Sequence, residues 1–230
     1  MPLKALIDSD IIAYRIAFAC KNESVTTACR TVDRYVTDIL LGIDHDDRFY
    51  DDWHLYLTGS NNFRLNIAKT AVYKGNRTAP KPPHHKELRE HLVKHWGAIV
   101  FEGIEADDAI ATDSTKMGDT CIMASVDKDF DQLEGWHYNF VKHKHYHVDK
   151  VSGLKFFYRQ IVMGDSADNI IGIRGIGDKR ARAMFEEVED EKELYRICVE
   201  AYEGDEDRVI ENARLLWLRR YENQTWEPPT

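Results

Sequence analysis

Four short apolar runs limit what this chain can become. LKALI (3–7), WHLYLTG (53–59), AIVFE (98–102) and CIMASV (121–126) each read as a strand, and segments with helical spacing separate them. Those segments are Ile11–Ala19, Thr26–Leu41 with apolar Val32, Tyr35, Val36, Ile39 and Leu40, and Lys86–Trp96. A further helix is opened by EADD and closed by Gly118. Strands alternating with helices define an α/β fold with a mostly parallel central sheet flanked by helices. After about Val151 the strand pattern stops, and the remainder reads as helical through Tyr221. This divides the chain into an α/β catalytic core, 1–155, and a helical part, 156–230.

With 230 residues, 43% of them hydrophobic, the chain can bury a sizeable core. No apolar run is long enough to cross a bilayer, and the N-terminus lacks a signal-peptide layout, so a cytoplasmic location is expected. Cys20, Cys29, Cys121 and Cys198 are scattered without a CxxC pair, which points to buried thiols rather than a zinc knuckle or disulfide framework. The formal net charge of −9 argues against nucleic acid at first sight, but it hides local basic clusters at Lys74–Arg89, Lys142–Lys150 and Arg174–Arg182.

In open α/β sheets, ligands bind beyond the carboxyl ends of the strands. Asp8 ends the first strand, Glu105, Asp107 and Asp108 follow the third, and Asp127 and Asp129 follow the fourth. Asp165 and Asp168 come from the helical part. If these eight carboxylates share a cleft, their repulsion requires bound cations, and all-oxygen donors select magnesium or manganese. A pair of such ions about 4 Å apart suits phosphate-ester hydrolysis. The competing reading makes each acid a helix cap or a surface residue; EADD alone is a good helix start. Next to Asp165 and Asp168, the turn bearing Gly172, Gly175 and Gly177 precedes Lys179, Arg180 and Arg182. Backbone N–H groups there can approach an anion closely, which makes a phosphate site. The alternative is a helix hairpin with solvated charges.

The motifs LIDSD, YKGNR, GIEADDAIA, ASVDKDFDQL and GDSADNIIGIRGIGDKRA, in this order, resemble those of the 5′-nuclease family: flap endonucleases, phage 5′-exonucleases and the N-terminal nuclease domain of bacterial DNA polymerase I. The resemblance covers most of the chain. It implies a PIN-like 5′-nuclease core with a helix-three-turn-helix element at GIRGIGDKRA, gripping duplex backbone and holding a potassium ion. It also implies a divalent-metal-dependent 5′-3′ exonuclease or flap endonuclease acting on DNA 5′ ends, flaps or duplex junctions, and on RNA–DNA hybrids, as a monomer in a bacterial or phage-infected cell. By motif, Asp8, Glu105, Asp107 and Asp108 would serve one ion, and Asp127, Asp129, Asp165 and Asp168 the second. Arg15 and Lys74 would face the scissile phosphate and Tyr73 would stack on the terminal base. Arg77, Gly175, Gly177, Lys179 and Arg180 would bind nucleic acid.

The chain departs from the family pattern in two places. Thr58, Gly59 and Ser60 stand where the family commonly has an aspartate ending the second strand. The stretch from Tyr73 to Glu105, an arch in many members, is short and interrupted by Pro80, Pro82 and Pro83. Asp10 is an outer-shell candidate, and Asp131 is expected to be a surface or capping acid. The HKHYH run, 143–147, reads as a solvated strand or loop, with nucleic-acid contact as the alternative. Two other activities compete: an aspartyl-phosphate phosphatase with Asp8 as nucleophile and Asp10 as acid, and a catalytically weak DNA-binding relative.

Overall fold

The computed structural model describes residues 3–44, 46 and 48–230. The chain forms two compact units. The first takes residues up to Asn62, Ala79–Phe130 and Gly135–His147; the second takes Phe63–Thr78, Asp131–Glu134 and Val148–Thr230.

In the first unit, the elements in chain order are β1 (Leu3–Asp8), α1 (Ser9–Ala19), α2 (Val25–Gly42), β2 (Tyr50–Thr58), α3 (His85–Trp96), β3 (Ile99–Phe101), α4 (Ala106–Met117), β4 (Cys121–Ala124), β5 (Gly135–Asn139) and β6 (Lys144–Val148). Among the described residues, these six strands make one sheet in the order β3-β2-β1-β4-β5-β6. The pairings β3-β2, β2-β1, β1-β4 and β4-β5 are all parallel. Strand β1 is flanked on both sides, which is why its apolar run is continuous: Ala5, Leu6 and Ile7 have no exposed surface. Because the pairs are parallel, their carboxyl ends lie along one edge. Asp8 stands opposite Tyr56, Ile7 opposite Ala124 and Thr58 opposite Phe101.

Helix α2 buries Ala28, Val32, Val36 and Ile39, a helical stripe packed into the core of this unit, and Ser24 caps it by accepting from Thr27 N at 3.1 Å. Asp33 fastens α2 to α3, accepting from Trp96 Nε1 at 2.8 Å and lying 2.6 Å from His91 Nε2. Burial pushes the Asp33 carboxyl up, but the bonds from His91 and Trp96 outweigh it and hold the group below the ordinary range.

Strands β5 and β6 carry no aliphatic run. Ring pairs join them instead: Trp136 with His147, His137 with Tyr146 and Tyr138 with His145, at centroid separations of 5.2, 5.0 and 4.5 Å. One number rises as its partner falls, so the two strands run antiparallel, and the HKHYH run is an edge strand whose rings lie on its neighbour.

The second unit contains α5 (Lys150–Met163), the short antiparallel ladder of β7 (Gly164–Asp165) with β8 (Ile170–Ile171), α6 (Asp178–Phe185), α7 (Glu191–Ala201) and α8 (Glu206–Leu216). Phe157, Ile161, Phe185, Leu194 and Val209 form the centre of its core. Arg64 is buried and donates from Nε to Leu215 O and from Nη2 to Trp217 O, both at 2.8 Å, satisfying carbonyls at the end of α8.

Two glycines make the β7-β8 ladder possible. Gly164 has φ +68°, and a Cβ on Gly172 would stand 2.1 Å from the Met163 carbonyl. The close backbone approach holds Asp165 opposite Ile170. Gly172→Ala is therefore expected to lower the stability of this unit by about 2–3 kcal/mol, since rigid backbone cannot yield to the methyl. Urea denaturation followed by tryptophan fluorescence measures it, and an unshifted midpoint would contradict the close approach.

Candidate active site

The carboxyl edge of the first unit's sheet gathers acids from three strand ends. Asp8 is 2% exposed. Its side chain caps α1 by accepting from Ile11 N at 3.5 Å, and it accepts from Ser125 Oγ at 2.9 Å. Ser125 Oγ in turn accepts from Asp127 N at 3.1 Å, and Asp127 Oδ1 accepts from Asp129 N at 2.9 Å. A chain of short-range bonds thus links the ends of β1 and β4. Burial pushes the Asp8 carboxyl up to about 7; the charges of Asp10 and Asp127 push the same way, and the Ser125 hydroxyl only partly offsets them.

Helix α4 brings the third group. Glu105 is its N-cap, and Asp108, with no exposed surface, accepts from Glu105 N at 3.3 Å in a capping box. The residues that open the helix are thus the ones to which the family resemblance assigns an ion, and the structure shows Glu105 and Asp108 in the capping role. Asp107 follows in the first turn and is half-buried.

Thr58, at the end of β2, is held from both sides. Its N–H donates to Asp10 Oδ2 at 2.8 Å, its carbonyl accepts from Arg89 Nη2, and Arg89 Nη1 pairs with Asp10 Oδ1. Its hydroxyl accepts from Ala106 N at 2.9 Å. Sequence reasoning placed Arg89 only within a basic cluster and missed this role, as it missed Ser125. The available signal was positional: Arg89 adjoins Leu88 on the buried side of α3.

In the second unit, YKGNR docks on GDSADN. Asp165, 7% exposed, accepts from Ala167 N at 2.7 Å and Asp168 N at 3.3 Å. Asp168 accepts from Tyr73 OH at 2.8 Å, lies 3.6 Å from Lys74 Nζ, and pairs with Arg77. Backbone contacts reinforce the clasp: Lys74 N to Asp168 O at 2.8 Å and Asn76 Nδ2 to Ser166 O at 2.6 Å. Tyr73 is buried, with its hydroxyl on the carboxylate.

Past the ladder, Gly175 (φ +85°) and Gly177 lead into α6, whose Lys179 and Arg180 are exposed; Arg180 Nη1 donates to Gly175 O at 2.8 Å. Arg15, exposed on α1, lines a groove of about 280 Å³ with Tyr35, Asp38, Tyr138 and His143.

Among the described residues, no three His, Cys, Asp or Glu side chains converge closely enough to hold an ion. The donor chemistry nevertheless fits a hard cation: oxygen donors only, with a buried carboxyl driven up partly by its acidic neighbours. Asp10 and Asp127 are the acids whose charges reach Asp8, while Glu105 and Asp107 stand at the start of α4. Among the described residues, no helix is long and apolar enough to cross a membrane.

A mostly parallel sheet with acids along its carboxyl edge, joined to a helical part, is the PIN-like 5′-nuclease core. Sequence comparison agrees, although no family model matches the chain. It is 36% identical over 135 residues to a DNA polymerase I of Rhizobium leguminosarum, covering 52% of this chain and 13% of the polymerase. It is 28% identical over 179 residues to a 5′-3′ exonuclease of Bacillus subtilis (strain 168), covering 69% of this chain and 54% of the exonuclease. A flap endonuclease Xni of Shewanella piezotolerans is 32% identical over 168 residues, 64% of this chain and 62% of that protein. Among solved structures, the T5 D15 protein co-crystallized with metal ions superposes with a TM-score of 0.66 at 19% identity, covering 93% of this chain and 88% of that one. The chain thus carries the 5′-nuclease fold and resembles 5′-nucleases in sequence, while spanning less than two thirds of each of these three curated relatives.

The raised Asp8 pKa has a definite sign. The folded state binds this proton more tightly than the unfolded chain, so the group favours folding below its ordinary pKa near 3.8 and loses that contribution as pH rises through about 7. Without divalent ions, Asp8→Asn is expected to match the wild type near pH 4. Near pH 8 it should exceed it by up to about 4 kcal/mol, at about 1.4 kcal/mol per pKa unit. Magnesium should raise the wild-type melting temperature more than that of the variant. Equal magnesium shifts would remove Asp8 from the ion site.

Proposed function

We propose that this chain is a divalent-metal-dependent nuclease that hydrolyses phosphodiester bonds in DNA at 5′ ends, flaps or duplex junctions. The observation that carries the reading is Asp8, buried and electrostatically opposed by Asp10 and Asp127 at the carboxyl edge of a parallel sheet. Similarity to a 5′-3′ exonuclease and to a flap endonuclease supports it. Magnesium or manganese would be held by Asp8, Glu105, Asp107 and Asp127, with Asp108 and Asp129 supporting; Asp165 and Asp168 of the second unit are proposed to serve a second ion. The chemistry such ions would supply there is a lowered pKa for an attacking water and stabilisation of charge on the phosphate and the leaving oxygen.

The chain's own residues do the rest. Ser125 orients Asp8 and Asp127 through one hydroxyl. Tyr73, Lys74 and Arg77 hold Asp168 and keep its carboxylate oriented. We read the segment from α5 through α6 as a helix-three-turn-helix grip on duplex backbone, in which Lys179, Arg180 and the N–H groups near Gly175 and Gly177 meet phosphates. A potassium ion at that turn belongs to the same proposal; in the structure Gly175 O accepts from Arg180 Nη1. RNA–DNA hybrids as substrates belong to the same proposal. The phosphatase alternative is not favoured: Asp10, its required proton donor, is tied at both oxygens to Thr58 N–H and Arg89.

Incubating 5′-labelled flap and nicked duplexes with magnesium tests the activity; binding without cleavage would leave only a DNA-binding relative. Asp127→Ala and Asp168→Ala should each bring turnover below detection, and they should differ in stability. Removing Asp127 relieves repulsion on Asp8, so its melting temperature should hold or rise. Removing Asp168 strands the donors of Tyr73, Lys74 and Arg77, at about 1–3 kcal/mol. Near wild-type turnover in either variant at saturating magnesium would refute the ligand assignment. The double variant Lys179→Ala/Arg180→Ala should reduce the salt slope of duplex binding by about 2, about one per phosphate contact. An unchanged slope would rule out the α6 grip.

A further inference from the structure

We propose that Arg89 is a positioning residue for the ion-binding acids, acting from α3 through Thr58 on the first turn of α4. The assignment rests on the nuclease reading for its role in cleavage, but its geometry stands apart from it. Arg89 is 22% exposed along its side chain, and its guanidinium forks between Asp10 Oδ1 and the Thr58 carbonyl. Asp10 uses its other oxygen to accept from Thr58 N at 2.8 Å. Asp10 and Arg89 together therefore fix both backbone polar groups of one residue, the last of β2. The hydroxyl of that residue accepts from Ala106 N at 2.9 Å, and Ala106 is the first residue of α4, between the Glu105 cap and Asp107. The path from Arg89 to the acids is two bonds long and needs no contact with an ion.

A planar fork suits this task better than a point charge. Two N–H groups held at a fixed angle can bridge a carboxylate and a carbonyl at once, whereas an ammonium can pair with the carboxylate without fixing the carbonyl. The arrangement also settles a local charge problem: Asp10 lies close enough to Asp8 to oppose its ionisation, and Arg89 is paired with it. Groups that orient metal ligands from behind typically change ion affinity by about 10–100-fold when removed.

The test compares wild type with Arg89→Met, which keeps the aliphatic stem, with Arg89→Lys, and with Thr58→Val, which removes the acceptor of Ala106 N. The magnesium dependence of flap cleavage, the magnesium-induced shift in melting temperature, and amide hydrogen exchange at Ala106 are measured for each. Arg89→Met should raise the half-saturating magnesium concentration about tenfold with a much smaller change in the plateau rate, and should accelerate exchange at Ala106. Arg89→Lys should recover only part of this. Because the path runs through Thr58, the double variant Arg89→Met/Thr58→Val should be little worse than the more affected single one.

Unchanged exchange at Ala106 and an unchanged magnesium shift in Arg89→Met would overturn the assignment, as would multiplicative effects in the double variant. If Arg89→Met does not fold, Arg89→Lys gives the same readouts, and wild-type values for it throughout would also overturn the assignment. If the wild type fails to cleave DNA but Arg89→Met still speeds exchange at Ala106 and shrinks the magnesium shift, the nuclease reading falls and the role of Arg89 stands.

Discussion

The parallel pairing of β1 between β2 and β4 is the constraint on which the first unit depends. A strand flanked on both sides and covered on both faces must be apolar along its length, and its carboxyl terminus must emerge beside those of its neighbours. Asp8 is therefore delivered to an edge where burial disfavours its charge and where Asp10 and Asp127 oppose it further. The fold creates an electrostatic problem at one place and then handles each acid differently. Ser125 partly offsets the load on Asp8, Arg89 pairs with Asp10, and Asp108 enters a capping box. The Asp8 carboxyl is pushed to about 7.

That distribution explains which parts of the structure could be read from the sequence. The strands β1, β2, β3 and β4 are visible because a strand inside a parallel sheet is written as an apolar run, and helices α2 and α4 because a one-sided stripe or a cap is written at fixed spacing. Strand β5 was not visible. Its run GWHYN is joined to β6 by ring-on-ring contacts, and rings that satisfy each other across strands leave no aliphatic alternation to detect. The short β7-β8 ladder was hidden for another reason: it depends on two backbones approaching so closely that only Gly164 and Gly172 fit, and glycines in a sequence announce a turn rather than a ladder.

The acids themselves were legible as candidates, and their partners were not. Asp8, Glu105 and Asp127 follow apolar runs, a local pattern. The bonds that orient them join residues far apart in the chain, such as Ser125 to Asp8 and Arg89 to Asp10, and no spacing rule encodes those. Thr58 illustrates the limit. In the sequence it registers as a missing carboxylate, whereas in the structure it is the residue through which β2, α3 and the start of α4 are tied.

The same reasoning bears on where an acidic chain keeps positive charge at its surface. In the second unit, Lys74 and Arg77 are drawn onto Asp168 and onto the backbone of 166–168, so much of the basic character of YKGNR is spent within the protein. Lys179, by contrast, is exposed on α6, and Arg180 donates to the carbonyl of Gly175. A guanidinium on a carbonyl keeps its net charge, whereas one on a carboxylate does not. Of these two segments, the turn and α6 therefore keep more of their positive charge at the surface than YKGNR does, although Arg182 of α6 is itself paired with Asp178. Net charge says little about a partner until the pairs that cancel have been removed.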